Sequence, residues 1–178
     1  MSILSALRPL VLMAGVCALC GAGLAHAAPV TYRTVVLSGD TAPGTNAQFS
    51  FIFQPVFNGL GQTAFFSAIT GPGVTIANNR GIWSGAGGSL GLVARLGDTA
   101  PGTTAQYSDL SINPVLNGQG QIALSALLTG TGATSANNSG IWSDAGGSLE
   151  LVARRGNTAP GTNAQFSNFY AGNPVFNG

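Results

Sequence analysis

The chain has no lysine, one histidine and two cysteines, and only 6% of its 178 residues are charged. Each shortage removes a class of chemistry. A formal charge of +1 leaves no Lys/Arg field for nucleic acid or for an anionic membrane surface. Zinc lacks its usual His and Cys ligands, and a serine nucleophile lacks a His or Lys base. The five acids, Asp40, Asp98, Asp109, Asp144 and Glu150, are scattered, whereas glycoside hydrolysis needs two carboxyl groups flanking one bond. No catalytic set, metal site or cofactor is expected.

The shortage deepens at the start of the chain. Arg8, the apolar run 10–24 and Ala25-His26-Ala27 read as a signal peptide over residues 1–27, cleaved before Ala28. A transmembrane anchor is the alternative, but the run is shorter than the ~18–20 residues a span needs. Cys17, Cys20 and His26 all fall inside this segment. Neither cysteine fits a lipoprotein box, because Val16 and Leu19 stand where a small residue is required. The mature chain then has neither Cys, His nor Lys, and five Arg balance five acids. In an oxidising compartment such a domain rests on packing alone.

What the chain does have is glycine, apolar residues (45%) and self-similarity. Asn58-Gly-Leu-Gly-Gln-Thr-Ala-Phe65 recurs as Asn117-Gly-Gln-Gly-Gln-Ile-Ala-Leu124 and begins again at Asn177-Gly178, a period of about 59 residues. Asn-Gly between apolar runs predicts a β-hairpin turn. Thr-Ala-Pro-Gly-Thr recurs at 41–45, 99–103 and 158–162, where Pro presets φ and Gly tolerates positive φ. Ala-Gln-Phe/Tyr-Ser follows each copy, and then a segment of variable length (51–54, 109–113, 168–173) reads as a surface loop or bulge.

The spacing predicts four short antiparallel strands per unit, over 55–58, 62–70, 81–84 and 89–96 in the first. The second strand is apolar or small on both faces, in Ala64-Phe-Phe-Ser-Ala-Ile69 and in Ala123-Leu-Ser-Ala-Leu-Leu128. It therefore needs cover on both sides, which stacked sheets supply. The fold class expected is all-β, with tandem four-stranded units as blades of an incomplete β-propeller. An open solenoid or a stacked sandwich shares the same periodicity. The expected organisation is a lone opening strand within 28–39 (strand 32–38), repeat 1 over 40–97, repeat 2 over 98–156 and a truncated repeat 3 over 157–178. The chain reads as a piece of a longer repeat protein.

Asn58, Gly61, Ala64 and Phe65 match every fixed position of the NxxGxxAF tandem-repeat family of exported bacterial proteins, which the chain resembles. In the second copy Asn117, Gly120 and Ala123 match and Leu124 replaces Phe; in the third, Asn177 remains. The resemblance implies a secreted or surface protein, often with a C-terminal anchor, and carries no known activity or catalytic residues.

Other motifs have bland readings. Gly59 to Ala64 satisfies a dinucleotide-binding pattern, but a strand follows where the pyrophosphate would need a helix N-terminus. Asp40, Asp98 and Asn157 share one position, and one acid per unit falls short of a Ca²⁺ shell, so turn chemistry is the simpler reading. Arg95 and Arg154 read as solvated edge charges. Trp83 and Trp142 read as packing residues rather than a sugar-binding platform. Asn137-Asn-Ser139 fits a glycosylation sequon. The expected role is a non-catalytic, exported interaction or structural scaffold whose partner is a surface glycan, a protein or the remaining repeats. The alternatives are an exported glycan-acting enzyme with its site in missing blades, and a Ca²⁺-dependent adhesin.

Overall fold

The computed structural model describes residues 32–169 and 174–175. The expected signal peptide and Asn177 lie outside the described residues. Within them every regular element is a strand: β1 (Gln48–Ile52), β2 (Val56–Phe57), β3 (Thr63–Thr70), β4 (Arg80–Ser84) and β5 (Gly91–Arg95) form one antiparallel sheet. β6 (Gln106–Leu110), β7 (Val115–Leu116), β8 (Ile122–Thr129), β9 (Ser139–Ser143) and β10 (Glu150–Arg154) form a second sheet of the same build. Both lie in one compact unit that starts at Thr34.

Each sheet is a meander with one broken rank. β1 pairs with the far half of β3, and β2 with its near half, Val56 opposite Ala64. The segment expected to be a loop is thus partly strand. A bulge between Phe49 and Phe51, and another between Tyr107 and Asp109, bends the rank before it breaks. The break spans 53–55 in the first sheet and 111–114 in the second, so the extra residue of the second unit is taken up where no ladder bond is lost. Ser67 reaches the first bulge: its hydroxyl donates to the Phe51 carbonyl at 2.8 Å.

The opening strand expected over 32–38 is not formed; residues 32–37 are irregular. The β-branched run Thr34-Val35-Val36 has no neighbouring ladder to join among the described residues, and propensity without a partner does not make a strand.

Two turns set the register. In Thr-Ala-Pro-Gly-Thr, the Thr45 amide donates to the Ala42 carbonyl at 3.1 Å and Gly44 takes φ +78°, the arrangement of a type II turn. The second turn falls between the strands where the sequence places it. The left-handed residue is Gly61 (φ +72°), and the Gly61 amide donates to the Asn58 carbonyl at 3.0 Å. That is a β-turn closed by a left-handed glycine, the longer form of hairpin connection. The copy at Gly120 (φ +86°) behaves alike.

The first sheet is apolar on both faces and both are covered, whereas the second is covered on its tryptophan face and leaves Leu127, Ile141 and Ala153 of its reverse face only half-buried. Ala64, Phe66, Ile82, Ala94 and Leu96 of the first sheet join Tyr107, Leu124, Leu128 and Trp142 of the second in one buried cluster. Phe49, Phe65, Ile69 and Trp83 pack on the opposite face of the first sheet with Ala42 and Ala47. The second sheet thus lays its tryptophan face on the reverse face of the first.

Candidate functional site

The residues singled out by repetition meet at the seam between the sheets. Asn58 Oδ1 accepts the amides of Leu60 (3.0 Å) and Gln62 (3.1 Å), closing its own turn. Its Nδ2 donates to Gln62 Oε1 at 2.6 Å and, across the seam, to the carbonyl of Asn117 at 2.9 Å. Asn117 repeats the local pattern, accepting from Gln119 and Gln121 and donating to Gln121 Oε1. Two equivalent turns are therefore tied together by the Asn58 amide, which also reaches the Gly118 carbonyl at 3.5 Å. Gly120 sits against the Gln62 side chain, where an added Cβ would fall 2.5 Å from Gln62 Oε1.

The other fixed positions are internal. Ala64 and Ala123 are buried in β3 and β8, and Phe65 and Leu124 occupy the tryptophan faces of their sheets. Gln62 and Gln121 are functional positions that the motif alone does not single out. Their Nε2 groups donate to the carbonyls of Ala86 (2.7 Å) and Ala145 (2.9 Å), pinning the next turn of the same sheet. Their recurrence in both copies is the signal that marks them.

Trp83 and Trp142 are fully buried. Each indole N–H donates at 3.0 Å to a proline carbonyl of the preceding hairpin, Pro43 and Pro101 respectively. Gly81 and Gly140 make room for the rings: a Cβ at Gly81 would lie 2.9 Å from both the Trp83 ring and the Ala94 carbonyl oxygen. No aromatic face is left for a sugar at either tryptophan.

Asp40 and Asp98 lie in separate turns and do different things. The Asp40 carboxylate accepts the Leu37 amide at 2.8 Å. Asp98 pairs with Arg95 at 3.0 Å, so this charge on the edge strand β5 has a carboxylate partner while staying partly solvated. Where Asn157 replaces that acid, Arg154 turns instead to the carbonyls of Asn137 (2.6 Å) and Gly132 (2.8 Å). The Asn137 amide is engaged in the same loop, donating to Gly132 at 3.3 Å. Among the described residues no three His, Cys, Asp or Glu side chains converge as a metal would require.

Beside the seam lies an open groove of about 640 Å³, lined by Ser84, Ser89, Gln119, Gln121, Asp144 and glycine backbone. Three of its polar side chains are engaged in the frame. Gln121 is held as described, Ser84 donates to the Thr63 carbonyl, and Asp144 accepts the Ile122 amide. The Tyr107 hydroxyl is different: it is buried beside Trp142 without a hydrogen-bond partner. Burial, and secondarily the charge of Asp98, pushes its phenol above its ordinary range. The equivalent positions hold Phe49 and Phe166.

A family model matches residues 6–178. The chain belongs to DUF7453, a family of unknown function. Neither the curated proteins nor the solved structures hold a match to this DUF7453 chain. Among the described residues no helix is long and apolar enough to cross a membrane.

Proposed function

We propose that this DUF7453 chain is an exported, non-catalytic scaffold, made of stacked propeller-type blades that present a surface to a glycan or protein partner. The observation that carries the reading is the use made of its recurring residues. Asn58, Gln62, Trp83 and their counterparts are all spent on closing turns and joining one sheet to the next. An enzyme site breaks such a pattern with polar groups held away from structural work; here the repeated polar groups hold the frame.

The blade reading rests on connectivity. The chain passes from the last strand of one sheet (β5) through the Thr-Ala-Pro-Gly hairpin into the first rank of the next (β6). That is how consecutive propeller blades are linked, and it stacks sheets face to face. Exposed apolar side chains along the broken rank, Phe51 and Phe57 in β1 and β2 and Ile112 in the second connector, give the stack an edge suited to a partner. Export is supported by the leader-like residues 1–27.

The test is to express the gene with its leader in a bacterial host, fractionate the cells and sequence the N-terminus. The exported fraction is then assayed against glycan, ester and peptide substrates. The reading expects a form beginning at Ala28 outside the cytoplasm and no turnover. An uncleaved cytoplasmic product, or catalysis by the purified chain, overturns it.

A further inference from the structure

The two sheets repeat their turns nearly unchanged, and the few departures gather in one place. Residues 81–95 and 140–154 differ at two positions, Gly85 against Asp144 and Gly91 against Glu150. The turns 58–62 and 117–121 differ at one, Leu60 against Gln119. One member of each pair lines the open groove beside the seam: Gly91 from the first sheet, Asp144 and Gln119 from the second. The frame demands none of the three, since the other copy closes the same turns with a different residue.

These groups are open to a ligand. Asp144 Oδ1 accepts the Ile122 amide, and its second oxygen has no partner among the described residues. The Gln119 side chain is exposed and makes no hydrogen bond there, in contrast to Gln121. The Gly87 and Gly146 amides, also in the lining, close no turn. At Gly91 an added Cβ would meet nothing within 4 Å, so a glutamate like Glu150 would project into open space. Glycine keeps that side of the groove clear.

The chemistry of the lining selects the ligand. It holds no cation that would attract an anion, and a single carboxylate already bonded to an amide is a weak holder of a metal or an ammonium group. Neutral donors and acceptors around one carboxylate suit sugar hydroxyls: the carboxylate accepts, and the Gln119 amide both donates and accepts. Leu92 and Val93 add apolar surface for ring C–H groups, and about 640 Å³ is the size of a small-molecule site.

We propose that the groove between the two sheets binds an uncharged oligosaccharide, with Asp144 and Gln119 as its polar contacts and Gly91 as the opening that admits it. This rests on the scaffold reading and gives it a surface and a ligand class. The tryptophans take no part. Their rings lie against Gly81 and Gly140 and their N–H groups against Pro43 and Pro101, none of which lines the groove.

The experiment titrates neutral trisaccharides of glucose, galactose and mannose, with trilysine for comparison, into the ¹⁵N-labelled chain and follows it by NMR. At least one trisaccharide is expected to shift the Gln119 side-chain amide and the Gly146 amide saturably, leaving both indole signals in place. Gln119→Leu and Gly91→Glu install residues that the other copy already carries, so the unfolding midpoint holds while binding is lost. Asp144→Asn is expected to weaken binding by about tenfold or more, as loss of a hydrogen bond to a charged group does. No saturable shift with any trisaccharide, a response to trilysine alone, or binding that ignores all three substitutions overturns the proposal. Saccharide shifts confined to another surface overturn the groove and leave the scaffold reading standing; that reading falls instead to an uncleaved cytoplasmic product or to turnover.

Discussion

Replacing Asn58 with Asp tests the bond that ties the two sheets. The side chain keeps its shape and still accepts from the Leu60 and Gln62 amides, 3.0 and 3.1 Å away. What it loses is the donor. A carboxylate oxygen then faces the Asn117 carbonyl at the position where Nδ2 now sits 2.9 Å from it, and faces Gln62 Oε1 at 2.6 Å. One neutral hydrogen bond across the seam is worth about 0.5–1.5 kcal/mol, and an uncompensated acceptor pair adds about 1 kcal/mol or more. The expected result is that N58D costs about 1.5–3 kcal/mol relative to the wild type at pH 7. Urea unfolding followed by tryptophan fluorescence measures it, since Trp83 and Trp142 are buried in different sheets. Because the fold disfavours the charged form of the carboxyl introduced by N58D, its folded pKa lies above the unfolded value. The penalty is therefore present above that folded pKa and disappears below the unfolded value of about 3.9. No penalty at pH 7, or an N58D penalty that persists at pH 3, would refute a hydrogen bond across the seam.

Tyr107→Phe removes a buried hydroxyl that has no partner and restores the residue type of Phe49 and Phe166. It is expected to raise stability by up to about 1 kcal/mol in a urea titration, and a loss of that size would mean the hydroxyl is bonded. Its phenol is held above its ordinary range by burial, so the unfolded state ionises first. Wild-type stability should fall as pH rises past about 10, and Y107F should fall less steeply. Gly61→Ala forces a Cβ into φ +72° and should cost about 1 kcal/mol or more, whereas Gly59→Ala should be near neutral; a reversed order would contradict a left-handed residue at 61. Gly81→Ala, whose Cβ would lie 2.9 Å from Trp83 and from Ala94 O, should cost about 1–3 kcal/mol and red-shift tryptophan emission.

Much of the frame was legible because it is local. The apolar positions of β3 and β8 announced cover on both faces; β3 has it, while Ser125 and Leu127 of β8 lie on a face that stays half-buried. Pro43-Gly44 specified its turn through backbone preferences that need no neighbour. The losses are non-local. β1 was hidden because Phe51 and Ile52 follow a bulge, which breaks the two-residue alternation that marks a strand. Residues 32–38 have strand-like composition, yet pairing is a property of two segments and composition describes one. The Asn58–Asn117 bond joins turns 59 residues apart, and nothing in either copy of the motif states that the two are adjacent. Arg95 and Arg154 look equivalent, and their different partners follow from one substitution three residues on, Asp98 against Asn157.

The central claim is that the repeated tryptophans are pins of the frame and not a binding platform. Hydrogen exchange at the two indole N–H groups, followed by NMR on the ¹⁵N-labelled chain with and without oligosaccharides, tests it most directly. The account predicts two slowly exchanging indole signals that oligosaccharides leave unmoved, one bonded to Pro43 and the other to Pro101. Fast exchange at either indole, or a shift of either signal on adding sugar, would contradict it.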